Sequence, residues 1–340
     1  MSYCGSNRPW RFINKTSNMK FILTLFLVSV CAFTQAQQPV KIILDTDFGN
    51  DCDDTGALAI LHQMVYNGEA ELLAAMYPMN DDQGAAAIDA VNTYYGKPNI
   101  PIGTYKGDYV YKGKHNDFYN SNLANNFPND LKTGKNAPDA ISLYRKILSE
   151  QLDGSVTICV VGPQRLLADL LLSPPDAISK LSGKELVKKK VSKLVSMGAE
   201  YPKGDEWNIK ICPDGAQLVA KEWPTPIYYS GFEIGKAIMT GERLITETPA
   251  NNPVRVSFET NPMVDKNKNR HSWDETAVLF GVRGLKDYWT MKSGTLQIAD
   301  DGKNTWSPEG KNHFYLIAKK PAEEMKKVIE DMMVTPPKLK

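Results

Sequence analysis

The stretch VKIILDTDFGNDCDDTGALAIL, residues 40–61, decides the fold of this chain of 340 residues. It opens with the mainly apolar run VKIIL, which predicts a short strand buried in a parallel sheet. From Thr55 onward, apolar residues recur at helical spacing. A strand that leads through a loop into a helix is the first half of a βαβ unit. We therefore expect the loop, residues 45–54, to lie at the carboxyl end of a strand, where ligands bind in such sheets.

The rest of the chain repeats this alternation of strands and helices. Apolar runs predict further strands at residues 71–76, 100–103, 156–161, 191–197 and 227–230. Helical spacing predicts helices at residues 85–95, 137–152, 164–172 and 215–221. The C-terminal part predicts a β-ribbon at residues 288–319, turning at 300–304, and a closing amphipathic helix at 321–333. We expect an α/β fold with a mainly parallel, Rossmann-like central sheet flanked by helices, as one domain over residues 37–340.

Composition excludes several classes of protein. The chain has 40 Lys and Arg against 39 Asp and Glu, a net charge of +1, and 42% hydrophobic residues. These values are typical of a globular protein and exclude a disordered chain, which would have fewer apolar residues and more net charge. The balanced charge provides no basic surface for DNA or RNA, so we expect no nucleic-acid partner.

The N-terminal segment predicts export. Residues 21–33 (FILTLFLVSVCAF) carry no charge and follow a positively charged segment, which is the pattern of a signal peptide. We expect residues 1–36 to be removed by cleavage near Ala36 and the remainder to be periplasmic or secreted. The run is shorter than the ~20 residues of a membrane-spanning helix, so no membrane association beyond the signal peptide is expected. An uncleaved anchor or a buried strand is the alternative.

Two further questions concern the same segment and the cysteines. Met19 directly precedes the apolar run, and a start there would leave residues 1–18 outside the true chain. Cys31 is a candidate for lipid attachment. The three cysteines that remain after cleavage are odd in number and widely spaced, which predicts neither a disulfide framework nor a zinc site. They are Cys52, Cys159 and Cys212.

The loop after the first strand is densely acidic and predicts a metal site. Residues 45–54 hold five carboxylates and no Lys or Arg, namely Asp45, Asp47, Asp51, Asp53 and Asp54. Repulsion and desolvation oppose burying such a cluster without a counter-charge, so we expect a bound divalent cation. Oxygen ligands select a hard ion, Ca²⁺ or Mg²⁺. The spacing is not that of an EF-hand, because no Glu follows at the twelfth position. A solvated acidic loop that caps a helix is the alternative.

Four segments together resemble the nucleoside hydrolase family of the inosine–uridine preferring type. Residues 45–61 resemble the family's N-terminal signature, Asp-x-Asp-Pro-Gly-x-Asp-Asp-Ala. Further segments follow in the family's order: VVGP at 160–163, MG, EWNI and PDGA within 197–216, and HSWDETA at 271–277. The sequence departs from the pattern at Phe48 and Ala199, where the family has Pro and Gly. Two extra residues also precede the Asp53-Asp54 pair, so the register of the acidic loop is open.

The resemblance implies Ca²⁺-dependent hydrolysis of the N-glycosidic bond of a ribonucleoside, through a transition state resembling an oxocarbenium ion. One Ca²⁺ is expected per chain. Asp47 is implied as metal ligand and general base, Asp54 as a bidentate ligand, and Asp274 as the last ligand. The candidate metal ligands are Asp47, Asp51, Asp54, the backbone oxygen of Val161, and Asp274. Asp51 is an additional acid of the longer loop whose role the resemblance does not specify.

The remaining implied roles concern the sugar and the base. Asp53 would accept a hydrogen bond from a ribose hydroxyl, and His271 is the candidate acid that protonates the leaving base. The candidate catalytic residues are therefore Asp47, Asp53 and His271. The candidate substrate-binding residues are Asn80, Glu206, Trp207 and Asn208, with Asp81 and Asp82 competing for the role of Asn80.

Two other functions compete with this interpretation. A phosphatase of the haloacid dehalogenase type also begins with strand-Asp-x-Asp, but its motif has Thr or Val where this chain has Gly49. An exported protein could instead use Ca²⁺ to bind a sugar or ribosyl compound without turnover. The expected partner is in either case a small nucleoside or another ribosyl compound, in purine or pyrimidine salvage if the protein is an enzyme. The resemblance also implies a homodimer or homotetramer.

Overall fold

A computed structural model describes residues 1, 5, 8, 9, 38–310 and 312–337. The apolar run of the expected signal peptide, residues 21–33, lies outside the described residues. The pattern of contacts divides the chain into two units, residues 1–37 and residues 38–340. The fold described below is that of the second unit. Among the described residues, no helix combines the length and apolar character needed to cross a membrane.

Strands and helices alternate through the first two thirds of this unit. The strands are β1 Val40–Asp45, β2 Ala70–Tyr77, β3 Ile102–Thr104, β4 Val156–Val160, β5 Val191–Met197, β6 Lys203–Gly204, β7 Ile227–Ser230, β8 Met239–Thr240, β9 Arg270–His271, β10 Trp289–Ile298, β11 Asn304–Ser307 and β12 His313–Ala318. The helices are α1 Asp53–Tyr66, α2 Gly84–Tyr94, α3 Asn120–Asn126, α4 Ala140–Glu150, α5 Arg165–Leu172, α6 Gly183–Lys190, α7 Trp207–Ile211, α8 Pro213–Glu222, α9 Phe232–Lys236, α10 Glu242–Glu247, α11 Pro253–Thr260, α12 Trp273–Arg283 and α13 Ala322–Met333.

The main sheet has the strand order β3-β2-β1-β4-β5-β7-β12-β10-β11-β6. Pairing is parallel from β3 to β12 and antiparallel from β12 to β6. The predicted α/β class with a mainly parallel sheet is therefore confirmed. The predicted C-terminal ribbon exists, but β12 pairs in parallel with β7, so the ribbon extends the main sheet instead of standing apart from it.

Helices cover both faces of the sheet around β1 and bury this strand. The β1 side chains of Ile42, Ile43 and Leu44 are fully buried, because neither face of this strand meets water. Alternation along the strand sends Ile42 and Leu44 into the apolar cluster that contains residues of α1, α12 and α13. Ile43 faces the opposite cluster, which contains residues of α4, α5 and α8.

Sheet order also determines where a ligand site can form. The chain moves from β1 to β2 on one side and later returns to β4 on the other side of β1. A crevice opens at such a reversal, outside the carboxyl ends of the strands. The acidic loop follows β1 directly, so it lies at this point of the sheet.

Residues 231–272 contain elements that the sequence did not predict. They form the short helices α9, α10 and α11 and the two-stranded sheet of β8 and β9. The sequence does contain a local signal for the start of α11, the pair Asn252-Pro253. In the structure, Asn252 is the N-cap and accepts a hydrogen bond from the backbone N–H of Val254, and Pro253 occupies the first turn.

Candidate active site

The acidic loop and two helix N-termini bring three carboxylates together. Asp53 and Asp54 begin α1, and Asp274 lies in the first turn of α12. One carboxylate oxygen from each residue lies within 4.8 Å of the other two. The backbone N–H of Asp274 also donates to Asp53 Oδ2 at 3.3 Å, across 221 positions of sequence. The structure thus places Asp274 beside the acidic loop, as the metal-site prediction requires.

These carboxylates line a cavity of about 440 Å³. The cavity also contains most of the other residues that the sequence singled out. From the predicted set, it is lined by Asp47, Asp51, Asp53, Asp54, Val161, Glu206, Trp207, Asn208 and Asp274.

Burial without a counter-charge dominates the electrostatics of the cluster. Desolvation raises the pKa of Asp47 to about 6, although the nearby His115 opposes the shift. Desolvation and neighbouring carboxylates raise the pKa of Asp53, Asp54 and Asp274 well above the usual range. Among the described residues, none of these four acids forms an ion pair with Lys, Arg or His. A donor set of buried carboxylates without a cation of its own fits a hard divalent ion.

Two neighbouring residues, Thr46 and Gly162, support Asp54 and Asp47. The hydroxyl of Thr46 donates a hydrogen bond to the Asp54 carboxylate. Gly162 begins the turn after β4, and a Cβ there would lie 2.8 Å from Asp47 Oδ1. Glycine therefore allows the Asp47 carboxylate to lie against the backbone beside Val161.

Glu206 and Asn208 form a second polar wall of the cavity. Glu206 caps α7 by accepting from the backbone N–H groups of Asn208 at 2.8 Å and Ile209 at 3.2 Å. Burial raises the pKa of Glu206 to about 7, and its backbone hydrogen bonds oppose this shift. The Asn208 amide donates to the Val161 carbonyl oxygen at 2.9 Å. This wall therefore reaches the carbonyl that the resemblance implies as a metal ligand.

Ala199, which stands where the family pattern has a glycine, has a backbone conformation that glycine favours. Its φ is 65°, a region that non-glycine residues seldom occupy. In this conformation the backbone N–H of Ala199 donates to Glu206 Oε2 at 3.0 Å. The departure from the family pattern at this position therefore leaves the local geometry able to hold Glu206.

Asp51 is placed differently from the other acids of the loop. Its carboxylate accepts from Arg270 Nε at 2.8 and 3.0 Å and also contacts Arg270 Nη2. The sequence named Asp51 as a metal ligand, whereas the structure groups Asp53 with Asp54 and Asp274. The extra residues of the loop thus provide a partner for Arg270. The ligand role of Asp51 stays a prediction that this ion pair does not support.

Two predicted residues, Asn80 and His271, are not brought into the cavity lining. Asn80 is exposed and donates to the Tyr109 carbonyl oxygen at 3.4 Å, beside a separate cavity of about 340 Å³. His271 packs on Trp273, with ring centroids 4.8 Å apart. Strand β9 carries both Arg270 and His271, and of these two only Arg270 lines the main cavity. The substrate roles of Asn80 and His271 stay predictions without support from the cavity.

Aromatic side chains also line the cavity. Phe232 and Trp273 stack with centroids 5.2 Å apart and an interplanar angle of 21°. The indole N–H of Trp273 donates to the Phe232 carbonyl oxygen at 2.8 Å, which fixes the ring. Trp207 also lines the cavity and is 41% exposed. Flat apolar surfaces beside a polar pocket suit a molecule with a sugar and a planar base.

The loop after β3 supplies lining residues that sequence reasoning did not assign. Lys114, Asn116 and Phe118 line the cavity, and the His115 ring lies 2.6 Å from the Asp47 carbonyl oxygen. The loop belongs to a stretch of sequence that also contains Tyr105, Tyr109 and Tyr111. Nothing in its spacing specifies which side chains turn inward.

Comparison with known proteins supports this description of the fold. No family model matches the sequence, and no curated protein matches it significantly. A plant nucleoside hydrolase, the PpNRh1 enzyme, matches with a TM-score of 0.68 and 16% identity, covering 88% of this chain and 100% of that one. An inosine-guanosine nucleoside hydrolase matches with a TM-score of 0.68 and 17% identity, covering 86% and 98%. The type III effector XopQ, solved with adenosine diphosphate ribose, matches with a TM-score of 0.69 and 13% identity, covering 88% and 95%.

These comparisons define the fold class of the protein. The protein has the α/β fold of the nucleoside hydrolases over nearly the whole length of those chains. The resemblance inferred from the four sequence segments is therefore confirmed at the level of the fold.

Proposed function

We propose that this protein hydrolyses the N-glycosidic bond of ribonucleosides or other ribosyl compounds with the help of one bound Ca²⁺. The observation that carries the proposal is the grouping of the buried acids Asp53, Asp54 and Asp274 in a cavity of about 440 Å³. In the described part of the chain, no Lys, Arg or His forms an ion pair with them. The nucleoside hydrolase fold supports the same reaction class.

The residues that would hold the ion are the acids of the cluster and one backbone carbonyl. Asp47, Asp54, Asp274 and the Val161 oxygen are the proposed ligands, and Asp53 lies close enough to join them. A bound Ca²⁺ would neutralise these carboxylates, orient sugar hydroxyls and lower the pKa of a water molecule. Asp51 receives no ligand role in this proposal, because Arg270 already occupies its carboxylate.

The chain's own side chains would then carry out the remaining steps. The Asp47 carboxylate takes a proton from the attacking water. Positive charge that develops on the sugar is stabilised by the surrounding carboxylates. Glu206 and Asn208 form the wall that would bind ribose hydroxyls, while Trp207 and Trp273 offer flat faces to the base.

A nucleoside panel tests the proposal. We expect the full-length protein to release reducing sugar from inosine or uridine, to lose this activity in a chelator, and to regain it with Ca²⁺. Asp47→Ala should abolish hydrolysis, whereas Asp153→Asn, at an exposed acid that pairs with Lys190 and does not line the cavity, should leave it unchanged. Unchanged hydrolysis by Asp47→Ala would refute the role assigned to this residue.

A second candidate is binding of a ribosyl compound without turnover. The observation in its favour is that one structural neighbour, XopQ, was solved with adenosine diphosphate ribose. Calorimetry with ribose and adenosine diphosphate ribose, run beside the sugar-release assay, separates the two functions. Tight Ca²⁺-dependent binding without any product would favour the binding protein.

We also propose that the protein is exported after cleavage near Ala36 and acts on nucleosides outside the cytoplasm. Sequencing the N-terminus of the mature protein in cell fractions tests this location. Light scattering on the purified protein tests the homodimer or homotetramer that the family resemblance implies.

A further inference from the structure

Arg270 occupies the cavity in a fixed position. Its Nε donates to both carboxylate oxygens of Asp51 at 2.8 and 3.0 Å, and Nη2 contacts the same carboxylate. Only 15% of the Arg270 side chain and 20% of the Asp51 side chain are exposed. A paired guanidinium and carboxylate determine each other's orientation as well as their distance. Asp51 is therefore a positioning residue for Arg270.

A second contact restrains the plane of the guanidinium. Arg270 Cζ lies 4.9 Å from the centroid of the Trp273 ring. Trp273 is itself held by its stack on Phe232 and by its hydrogen bond to the Phe232 carbonyl. Arg270 Nη1 donates no hydrogen bond to any residue within 38–310 and 312–337. Its two N–H groups therefore remain as donors for a molecule in the cavity.

The position of Arg270 matters because the departing base needs a partner. Arg270, Trp273 and Phe232 line the same cavity as the carboxylate cluster, whereas His271 does not line it. Aromatic rings in the lining suit a planar base, and Arg270 lies over one of these rings, that of Trp273. A cation in this position would stabilise the negative charge that develops on a departing base.

We propose that Arg270 binds the leaving base and stabilises it as an anion, so that the preferred substrates are ribosides whose base carries negative charge well. This inference rests on the hydrolysis proposed above. The C1′–N bond breaks and its electron pair stays on the base nitrogen, while the water oxygen bonds to C1′. The proton of that water goes to Asp47. The guanidinium keeps its protons and donates hydrogen bonds, and the base takes a proton from solvent after release.

This chemistry specifies a substrate class. The uracil anion spreads its negative charge onto the oxygens at C2 and C4, and the hypoxanthine anion spreads its charge onto the oxygen at C6. These oxygens can accept hydrogen bonds from a guanidinium. Cytosine has an amino group in place of the C4 oxygen of uracil, and adenine has one in place of the C6 oxygen of hypoxanthine. An amino group donates, so these two bases offer fewer acceptors to a guanidinium. We therefore expect kcat/KM to rise across a series of ribosides as the anion of the leaving base becomes more stable.

The test compares leaving groups in Arg270→Gln. With uridine, we expect kcat to fall about 10²–10³-fold, the loss typical of removing one donor from a developing anion. With 4-nitrophenyl riboside the loss should be far smaller, because nitrophenolate is a stable anion without help. Arg270→Lys keeps the charge but not the planar fork, so it should recover part of the uridine activity.

The chain offers a matched control in Arg283. Arg283 pairs with Glu69 through Nε at 2.7 Å and Nη2 at 2.9 Å, and 15% of its side chain is exposed. It does not line the cavity. Arg283→Gln should therefore lower stability much as Arg270→Gln does, while leaving the ratio of uridine to nitrophenyl riboside turnover unchanged.

Three outcomes would overturn the inference. An equal loss on both substrates would show that Arg270 supports the structure or the sugar, not the base. A loss that depends on the leaving group in His271→Ala, but not in Arg270→Gln, would assign the role to His271. If the wild-type protein cleaves neither substrate, the proposed hydrolysis itself fails. Should Arg270→Gln not fold, Asp51→Asn keeps Arg270 and should show a weaker form of the same substrate-dependent loss.

Discussion

Asp47 lies in the cavity and Asp176 lies beside α4, and the two carboxylates differ in whether the chain supplies them with a cation. Asp176 accepts from Arg145 Nε at 2.7 Å and Nη2 at 3.0 Å, and this pairing lowers the pKa of Asp176 to about 2. Burial raises the pKa of Asp47 to about 6, and no Lys or Arg pairs with it in the described part of the chain. At Asp176 the chain supplies a cation that neutralises the carboxylate and stabilises the fold. At the cavity the chain leaves the carboxylate without such a partner, so its negative charge is available to a bound ligand.

The largest expected effect follows from removing the general base. Asp47→Asn should lower kcat about 10²–10⁴-fold, the contribution typical of general base catalysis. The same change removes a buried, unpaired negative charge, so the metal-free protein should be as stable as the wild type or more stable. Steady-state kinetics and thermal unfolding in a chelator measure the two effects. A clear loss of stability in the chelator would contradict the comparison above.

The opposite pattern is expected at Arg145. Its side chain is 2% exposed and also donates to Ser173 Oγ and to the carbonyl oxygens of Ser179 and Leu181. Arg145→Met would leave these acceptors unsatisfied, and we expect about 3 kcal/mol less stability. Because Arg145 does not line the cavity, kcat of the folded fraction should not change. Urea unfolding and a nucleoside assay below the transition provide the two measurements.

Calcium should stabilise the protein, and the effect should depend on pH. At 100 times its Kd, Ca²⁺ should add about 2.7 kcal/mol, since it binds only the folded state. In a chelator, stability should fall as pH rises from about 4 to about 6, because folded Asp47 retains its proton above the ordinary pKa of 3.8. Glu206, with its pKa raised to about 7, acts in the same direction. Thermal unfolding against pH, with and without Ca²⁺, measures both slopes.

Equal slopes in Ca²⁺ and in chelator would mean that the acidic cluster does not bind the ion. Asp47→Asn provides the control, because it removes one titrating group from the cluster. Its chelator curve should be flatter than that of the wild type over the same pH range.

The features that could be predicted from the sequence are those whose residues lie close together along the chain. The run VKIIL and the acids after it are contiguous, so β1, the loop and α1 were predictable from spacing alone. The pair of Asp51 and Arg270 joins residues 219 positions apart, and no periodicity encodes such a contact. The parallel pairing of β12 with β7 likewise depends on tertiary packing. Asp274 was placed beside the acidic loop by family resemblance, not by the physics of its own segment.

The smallest expected effect concerns the hydroxyl that supports Asp54. Thr46 is fully buried, and its Oγ1 donates to the Asp54 carboxylate. Residues that orient a metal ligand typically change affinity 10–100-fold, and we expect Thr46→Val to weaken Ca²⁺ binding about tenfold, at the lower end of that range. Calorimetric titration with Ca²⁺ measures the change.

Thr55 makes the matched control for this last variant. It is equally buried and lies on the same helix as Asp54, but its hydroxyl meets the neutral Ser257 hydroxyl at 2.6 Å and the Cys52 carbonyl at 2.7 Å. Thr55→Val should therefore lower stability without changing Ca²⁺ affinity. If both variants weaken Ca²⁺ binding equally, the effect comes from packing of the loop, and the Thr46 hydroxyl has no separate part in holding the Asp54 carboxylate toward the ion.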